Sequence, residues 1–230
     1  MTLFALIHGG AHGGWCWELV APELEGRGHR VVAPDLPLED ETAAAESWAR
    51  TVIDAIDEVA RPGDDDVVVV GHSMGGMCVP VVASKRPVRR MVFLAAMVPA
   101  PGRIYAEYLA ENPDAITFDF NVEGTPGPIG MSWEAARNGF YHDCDEQLAR
   151  RAFERLRPTA LTVFTERCPI DTWPDVASTY ILMRDDRAVG HDWSRRVAND
   201  RIHADLIEMD GSHSPFYSTP VELADLLVTL

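Results

Sequence analysis

Lysine is nearly absent from this chain. Lys85 is the only one, the remaining basic residues are arginine, and 20 Lys+Arg against 36 Asp+Glu give a formal net charge of -16. A surplus of that sign repels phosphate backbones and anionic bilayers, which excludes nucleic acid and membrane surfaces as partners. Long hydrophobic runs are missing too. Nothing approaches the ~20 apolar residues needed to cross a bilayer, and no charged-then-apolar leader opens the chain, so a cytoplasmic protein is expected. Cysteine is sparse: Cys16, Cys78, Cys144 and Cys168 show no C-x-x-C spacing, so neither a zinc site nor a disulfide framework is indicated, and no metal or cofactor is called for. What the chain does have is bulk: 230 residues with 47% hydrophobic content are enough for one sizeable core, with room for a small insertion. A homodimer stays open.

The strongest local signal runs from Asp66 to Gly76. Four consecutive valines, Val67 to Val70, read as a strand buried on both faces of a parallel sheet. Gly71-His72-Ser73-Met74-Gly75 follows at once, a G-x-S-x-G turn from strand to helix that exposes a serine hydroxyl. Gly71 and Gly75 flank the serine where the two backbones come too close for side chains. A helix from Gly76 to about Ser84 is expected next, its N-terminus favouring negative charge at the serine. Pro80 falls inside that helix, at a cost of ~3 kcal/mol in an ordinary helix, and nothing in the sequence accounts for it.

Around this stretch the chain alternates strand and helix. Leu3 to Ile7 is a first strand, broken by His8-Gly9-Gly10-Ala11-His12-Gly13-Gly14-Trp15, a glycine-rich loop where a ligand or second backbone must approach closely. A helix over Trp15 to Glu25, a strand at Val31 to Ala33 and a helix over Thr42 to Val59 follow, the last carrying an apolar stripe of Ala45, Trp48, Val52, Ile53, Ile56 and Val59 and ended by Arg61-Pro62-Gly63. Further strands are expected at Met91 to Ala96, Thr179 to Met183 and Ala204 to Met209, with helices around Trp193 to Asn199 and Pro220 to Leu230. The reading is an α/β fold: a mainly parallel sheet of about six strands flanked by helices, with ligands binding at the carboxyl ends of the strands.

Between about Pro99 and Trp173 the alternation stops. Short helical candidates at Ile104 to Glu111, Trp133 to Phe140 and Glu146 to Leu156 are separated by proline and glycine. The organisation expected is a core of residues 1–98 and 174–230 with a small helical insertion over 99–173. Tyr105, Phe118, Phe120, Met131, Trp133 and Phe140 within it either line a substrate pocket or form the insertion's own small core.

A serine nucleophile needs a base and a group to orient that base, in the chain order Ser, acid, His behind such a turn. His213, in Gly211-Ser212-His213-Ser214-Pro215 just past the last strand, fits the base better than His191, His203 or His72. The acid should leave the end of the preceding strand, where Arg184-Asp185-Asp186 offers two carboxylates that alternation sends to different sides. Asp186 is taken, with Asp185 the alternative; Asp205 lies at the wrong end of the final strand and Asp210 too near His213. An oxyanion needs N–H donors, expected from Met74 after the nucleophile and Gly10 in the first loop, with His8 and His12 as supports for that loop.

The run from His8 to Trp17, the Gly71 to Gly76 turn and His213-Ser214-Pro215 together resemble the α/β-hydrolase superfamily. The resemblance spans the whole chain and is nearest to the branch of plant methylesterases of the salicylate-binding type, hydroxynitrile lyases and bacterial pyrethroid-hydrolase-like carboxylesterases. It implies a helical cap, Ser73, Asp186 and His213 as triad, and Gly10 and Met74 as oxyanion donors. The lyases of this branch depend on a threonine in the first loop and a lysine after the catalytic histidine. This chain has Gly9 and Ser214 there. The expectation is therefore a serine carboxylesterase for a small to medium apolar ester, working without a cofactor through an acyl-enzyme. A C–C lyase or a non-catalytic small-molecule receptor on the same fold are the alternatives.

Overall fold

The computed structural model describes residues 1–60, 66–118 and 131–230. Its centre is one sheet of six parallel strands: β1 (Leu3–Ile7), β2 (Arg30–Val32), β3 (Val67–His72), β4 (Arg90–Leu94), β5 (Ala177–Met183) and β6 (Asp205–Met209), in the order β2-β1-β3-β4-β5-β6. Because side chains alternate along a strand, the valine run divides its apolar surface between two cores. Val67 and Val69 join Leu3, Ala5 and Ile7 on one face, while Val68 and Val70 join Phe4, Leu6 and Leu94 on the other. Burying each such side chain contributes ~1.5–3 kcal/mol, so this alternation accounts for why an all-apolar strand sits at the centre of the sheet.

Helices cover both faces. The first core is closed by α2 (Ala45–Val59) and α3 (Val79–Lys85), the second by α1 (Val20–Gly26) and α10 (Pro220–Val228). Most bounds shift by a few residues from the sequence reading, and three of the differences have a clear local reason. The stretch before α1 begins as a 3-10 turn, Gly14–Trp17, and α1 starts only at Val20, which places Pro22 in the first turn, where a missing N–H leaves no bond unmade. Helix α2 starts at Ala45 rather than Thr42 because Asp40 Oδ1 accepts from both the Thr42 amide (2.8 Å) and the Thr42 hydroxyl (2.7 Å), holding a turn there. Its apolar stripe stops at Ile56, since Val59 is exposed. The Arg61-Pro62-Gly63 stop lies outside the described residues.

The third difference resolves Pro80. No continuous helix follows the serine. A 3-10 turn, Ser73–Met77, comes first, and α3 starts afresh at Val79 with Cys78 as its cap. Pro80 therefore occupies the second position of a new helix instead of the interior of an old one, and the i→i−4 bond it would break does not exist. Pro80→Ala is expected to change stability by less than about 1 kcal/mol, read from urea unfolding; a loss near 3 kcal/mol would contradict this placement.

Between β4 and β5 the chain forms α4 (Tyr105–Glu111), α5 (Trp133–Gly139), α6 (Glu146–Glu154) and α7 (Thr162–Thr165). After β5 come α8 (His191–Arg196), and after β6 the short α9 (Pro215–Ser218). Among the described residues no helix is long and apolar enough to cross a membrane. Since all strands run the same way, the residues following β1, β3, β5 and β6 emerge at one edge of the sheet, and that edge carries the site.

Candidate active site

Ser73 follows β3 with a backbone φ of 51°, in the left-handed region that residues with a Cβ seldom adopt. The surroundings enforce it. A Cβ on Gly75 would lie 2.5 Å from the His8 carbonyl oxygen, and one on Gly76 would lie 2.2 Å from that of Met97. The Met97 amide in turn donates to the Ser73 carbonyl at 2.9 Å, tying the turn to the end of β4.

The loops that carry Asp186 and His213 continue the pairing of β5 with β6. The Arg184 amide donates to Met209 O (2.9 Å) and the Asp185 amide to Gly211 O (3.0 Å), so the two loops leave the sheet side by side. Asp186 turns inward and is buried, whereas Asp185 is exposed. Asp186 Oδ2 lies 3.0 Å from His213 Nδ1, and its Oδ1 accepts from the amides of Ala188 (2.7 Å) and Val189 (3.2 Å). Both oxygens of the carboxylate are thereby engaged, through three contacts, which fixes its plane against the imidazole. Of the carboxylates set aside earlier, Asp210 pairs with Arg184 and Asp205 with Arg90, each at the surface. His72 packs against His213: its Nε2–H donates to the His213 carbonyl at 2.8 Å, with the ring centroids 4.6 Å apart.

The first loop is held peptide by peptide. His8 Nδ1–H donates to Gly9 O (2.8 Å) while its Nε2 accepts from the Leu36 amide (2.9 Å), which sets the tautomer. The Gly9 carbonyl and the Gly10 N–H belong to one peptide plane, so His8 also orients the expected oxyanion donor. His12 repeats the device one step on: Nδ1–H donates to Gly10 O (2.8 Å) and Nε2 accepts from the Tyr141 hydroxyl (2.7 Å). Arg157 adds bonds to the carbonyls of His12 (2.9 Å) and Leu36 (2.7 Å).

Burial keeps these histidines neutral. It pushes His12 down to about 3 and His8 down to about 4, and holds His72 well below the ordinary imidazole value, with the Gly9 and Gly10 carbonyls opposing it only in part. Unfolded, the same side chains ionise near 6.5, so below that pH protons bind the unfolded chain in preference to the folded one. Stability from this source is complete above about pH 6.5 and is lost as pH falls, until about pH 4 for His8 and about pH 3 for His12. Urea unfolding between about pH 7 and about pH 5 is expected to lose roughly 2 kcal/mol or more; a flat profile would contradict three buried neutral imidazoles.

A cavity of about 390 Å³ opens over Ser73 and His213, lined also by Gly10, His12, Met74, Met97, Ile116, Met131, Phe140, Thr159, Leu161 and Phe164. Ser73, His213, Gly10 and Met74 thus share one space, with Asp186 bonded to His213 and outside the lining. The aromatic candidates divide. Met131 and Phe140 line the cavity, Phe140 packing 5.7 Å from His213 between ring centroids. Phe118 stands behind Phe140, at 5.3 Å, and does not line the cavity. Tyr105 is buried against Tyr108 and Phe164, and Trp133 packs on Phe153 under the Arg150 guanidinium, so both belong to the insertion's own packing. Phe120 lies outside the described residues. The sequence reading missed Met97, Ile116, Thr159, Leu161 and Phe164, none of which carries a motif; only packing brings them to the site.

With this geometry in view, comparison with known proteins is informative. Residues 4–226 match the alpha/beta hydrolase family. Methylesterase 9 of Arabidopsis thaliana is 25% identical over 258 residues, covering 100% of this chain and 98% of its own. A polyneuridine aldehyde esterase structure superposes with a TM-score of 0.81 at 21% identity, covering 99% of this chain and 98% of that one. A pyrethroid hydrolase from Sphingobium faniae does so with a TM-score of 0.78 at 24% identity, covering 99% and 96%. The six-stranded parallel sheet, the strained serine turn and a family match spanning nearly the full length make this chain a member of the alpha/beta hydrolase family.

Proposed function

We propose that the protein is a serine carboxylesterase acting on small to medium apolar esters. The observation that carries this is the buried Asp186–His213 pair, 3.0 Å apart, with His213 and Ser73 lining one largely apolar cavity. Ser73 attacks the ester carbonyl while His213 Nε2 takes its proton. The Gly10 and Met74 amides stabilise the oxyanion, and His213 returns the proton to the departing alcohol. Water, activated by the same histidine, then releases the acid and frees the serine. Residues 99–173 act as the cap and residues 1–98 and 174–230 as the catalytic core. The methylesterase and esterase names among the relatives agree with this reading.

The lyase alternative is disfavoured by more than composition. A Cβ on Gly9 would lie 2.8 Å from Ser73 Cβ and 3.0 Å from His72 Nδ1, so a threonine hydroxyl at that place would crowd the nucleophile. A panel of p-nitrophenyl and methyl esters of graded acyl size, together with a serine-directed phosphonate, tests the proposal. Ester turnover is expected, with one phosphonyl group per chain on the peptide carrying Ser73. Inertness toward every ester, or labelling elsewhere, would overturn it.

A further inference from the structure

Apart from Ser73, His72 and His213, the polar side chains of the cavity wall lie where the first loop meets the segment after α6. There the Ala11 amide donates to the Thr159 hydroxyl at 2.8 Å. Thr159, Gly10, Ala11 and His12 all line the cavity, so this hydroxyl sits beside the loop that carries the expected oxyanion donor. A hydroxyl has one proton to give, and no acceptor among the described residues takes that of Thr159. No other side chain of the wall has a donor to spare outside the reaction. Both ring nitrogens of His12 are bonded, His72 gives its Nε2–H to the His213 carbonyl and keeps an unpartnered, buried Nδ1 that can only accept, and Ser73 and His213 belong to the proposed reaction. The remaining side chains of the wall, Met74, Met97, Ile116, Met131, Phe140, Leu161 and Phe164, offer no polar contact but the weakly accepting methionine sulfurs.

The geometry points to Thr159 as a specificity-determining residue that donates a hydrogen bond to a second oxygen of the substrate, so that the preferred esters carry an ether, carbonyl or hydroxyl oxygen near the reacting carbonyl. This rests on the hydrolase reading above and narrows it. The Ala11 N–H fixes the oxygen of Thr159 and leaves its proton free to turn toward the cavity that Thr159 lines. A hydrocarbon ester offers the proton of this half-buried hydroxyl no acceptor, whereas an oxygen-bearing one does. Sites built to hydrogen-bond a substrate reject the analogue lacking the partner more strongly than apolar pockets reject a change of size.

Isosteric pairs test this. p-Nitrophenyl methoxyacetate against p-nitrophenyl butanoate exchanges an ether oxygen for a methylene on the acyl side, and 2-methoxyethyl butanoate against butyl butanoate does so on the alcohol side. kcat/KM is measured for all four with wild type, Thr159→Val and Thr159→Ser. Intrinsic reactivity cancels when the oxygen-to-methylene ratio is compared between variants. For one pair, the preference for oxygen is expected to fall about tenfold in Thr159→Val and to stay within about twofold in Thr159→Ser. If Thr159→Val slows both members of each pair equally, Thr159 only props Ala11 and the proposal fails while the hydrolase reading stands. Thr159→Ala provides the same comparison should the valine variant fold poorly. A wild-type protein inert on all four esters removes the hydrolase reading, and this inference with it.

Discussion

Asp186→Asn is expected to lower kcat by about 10⁴ while leaving the protein folded. The reason lies in the two amides that Asp186 Oδ1 accepts, from Ala188 and Val189. An asparagine keeps these only by turning its carbonyl oxygen toward them, which swings its NH₂ toward His213 Nδ1. That nitrogen must then accept, the ring proton moves to Nε2, and the atom facing Ser73 can no longer take a proton. The variant is a tautomer trap more than a lost charge. Steady-state kinetics on the best ester of the panel, with circular dichroism to confirm folding, checks it. A drop of less than about tenfold would disqualify Asp186 as the orienting acid and return attention to Asp185.

Ser73→Ala is the second large effect, with a loss of at least about 10³ in turnover and little change in ligand binding. Alanine at φ 51° keeps the strained turn, because Gly75 and Gly76 and the Met97 amide still impose it, so the loss reports the hydroxyl alone. Combining the two substitutions is expected to lower activity scarcely further than Ser73→Ala does, since groups acting as a unit are not additive. Activity in Ser73→Ala equal to that of wild type would end the nucleophile assignment.

The parts of this site legible in sequence are those where backbone and motif coincide. The valine run reads as a strand buried on both sides, by its β-branched composition and its length, and Ser73, Asp186 and His213 each follow a strand that the apolar pattern reveals. The glycines of the first loop signalled close approach, and Gly9 and Gly14 do meet atoms of other segments within a Cβ's reach. What was not legible depends on which face of a short helix turns inward. Tyr105 and Phe164 both come from the insertion, yet Phe164 faces the cavity and Tyr105 does not. Nothing in their local spacing separates them, because the partner that decides is distant in sequence. Pro80 failed for a related reason: a proline shows that a helix cannot be continuous but not where the break falls.

The insertion between β4 and β5 bears on how this enzyme can change. Ile116, Met131, Phe140, Thr159, Leu161 and Phe164 all fall in that one unbroken stretch, while Ser73, Asp186 and His213 lie outside it. A single exchange of this stretch between relatives would hand over a new repertoire of substrates with the chemistry untouched. The heritable constraint is at its anchors. Tyr141 and Arg157 hold the first loop, His142 Nε2 meets the Asp185 carbonyl at 3.0 Å, and Asp143 accepts the Ser212 amide at 2.7 Å. Lineages of this kind are free to drift at the lining and bound to conserve the fastenings, so recombinant libraries cut outside residues 99–173 should yield more working offspring than libraries cut within them.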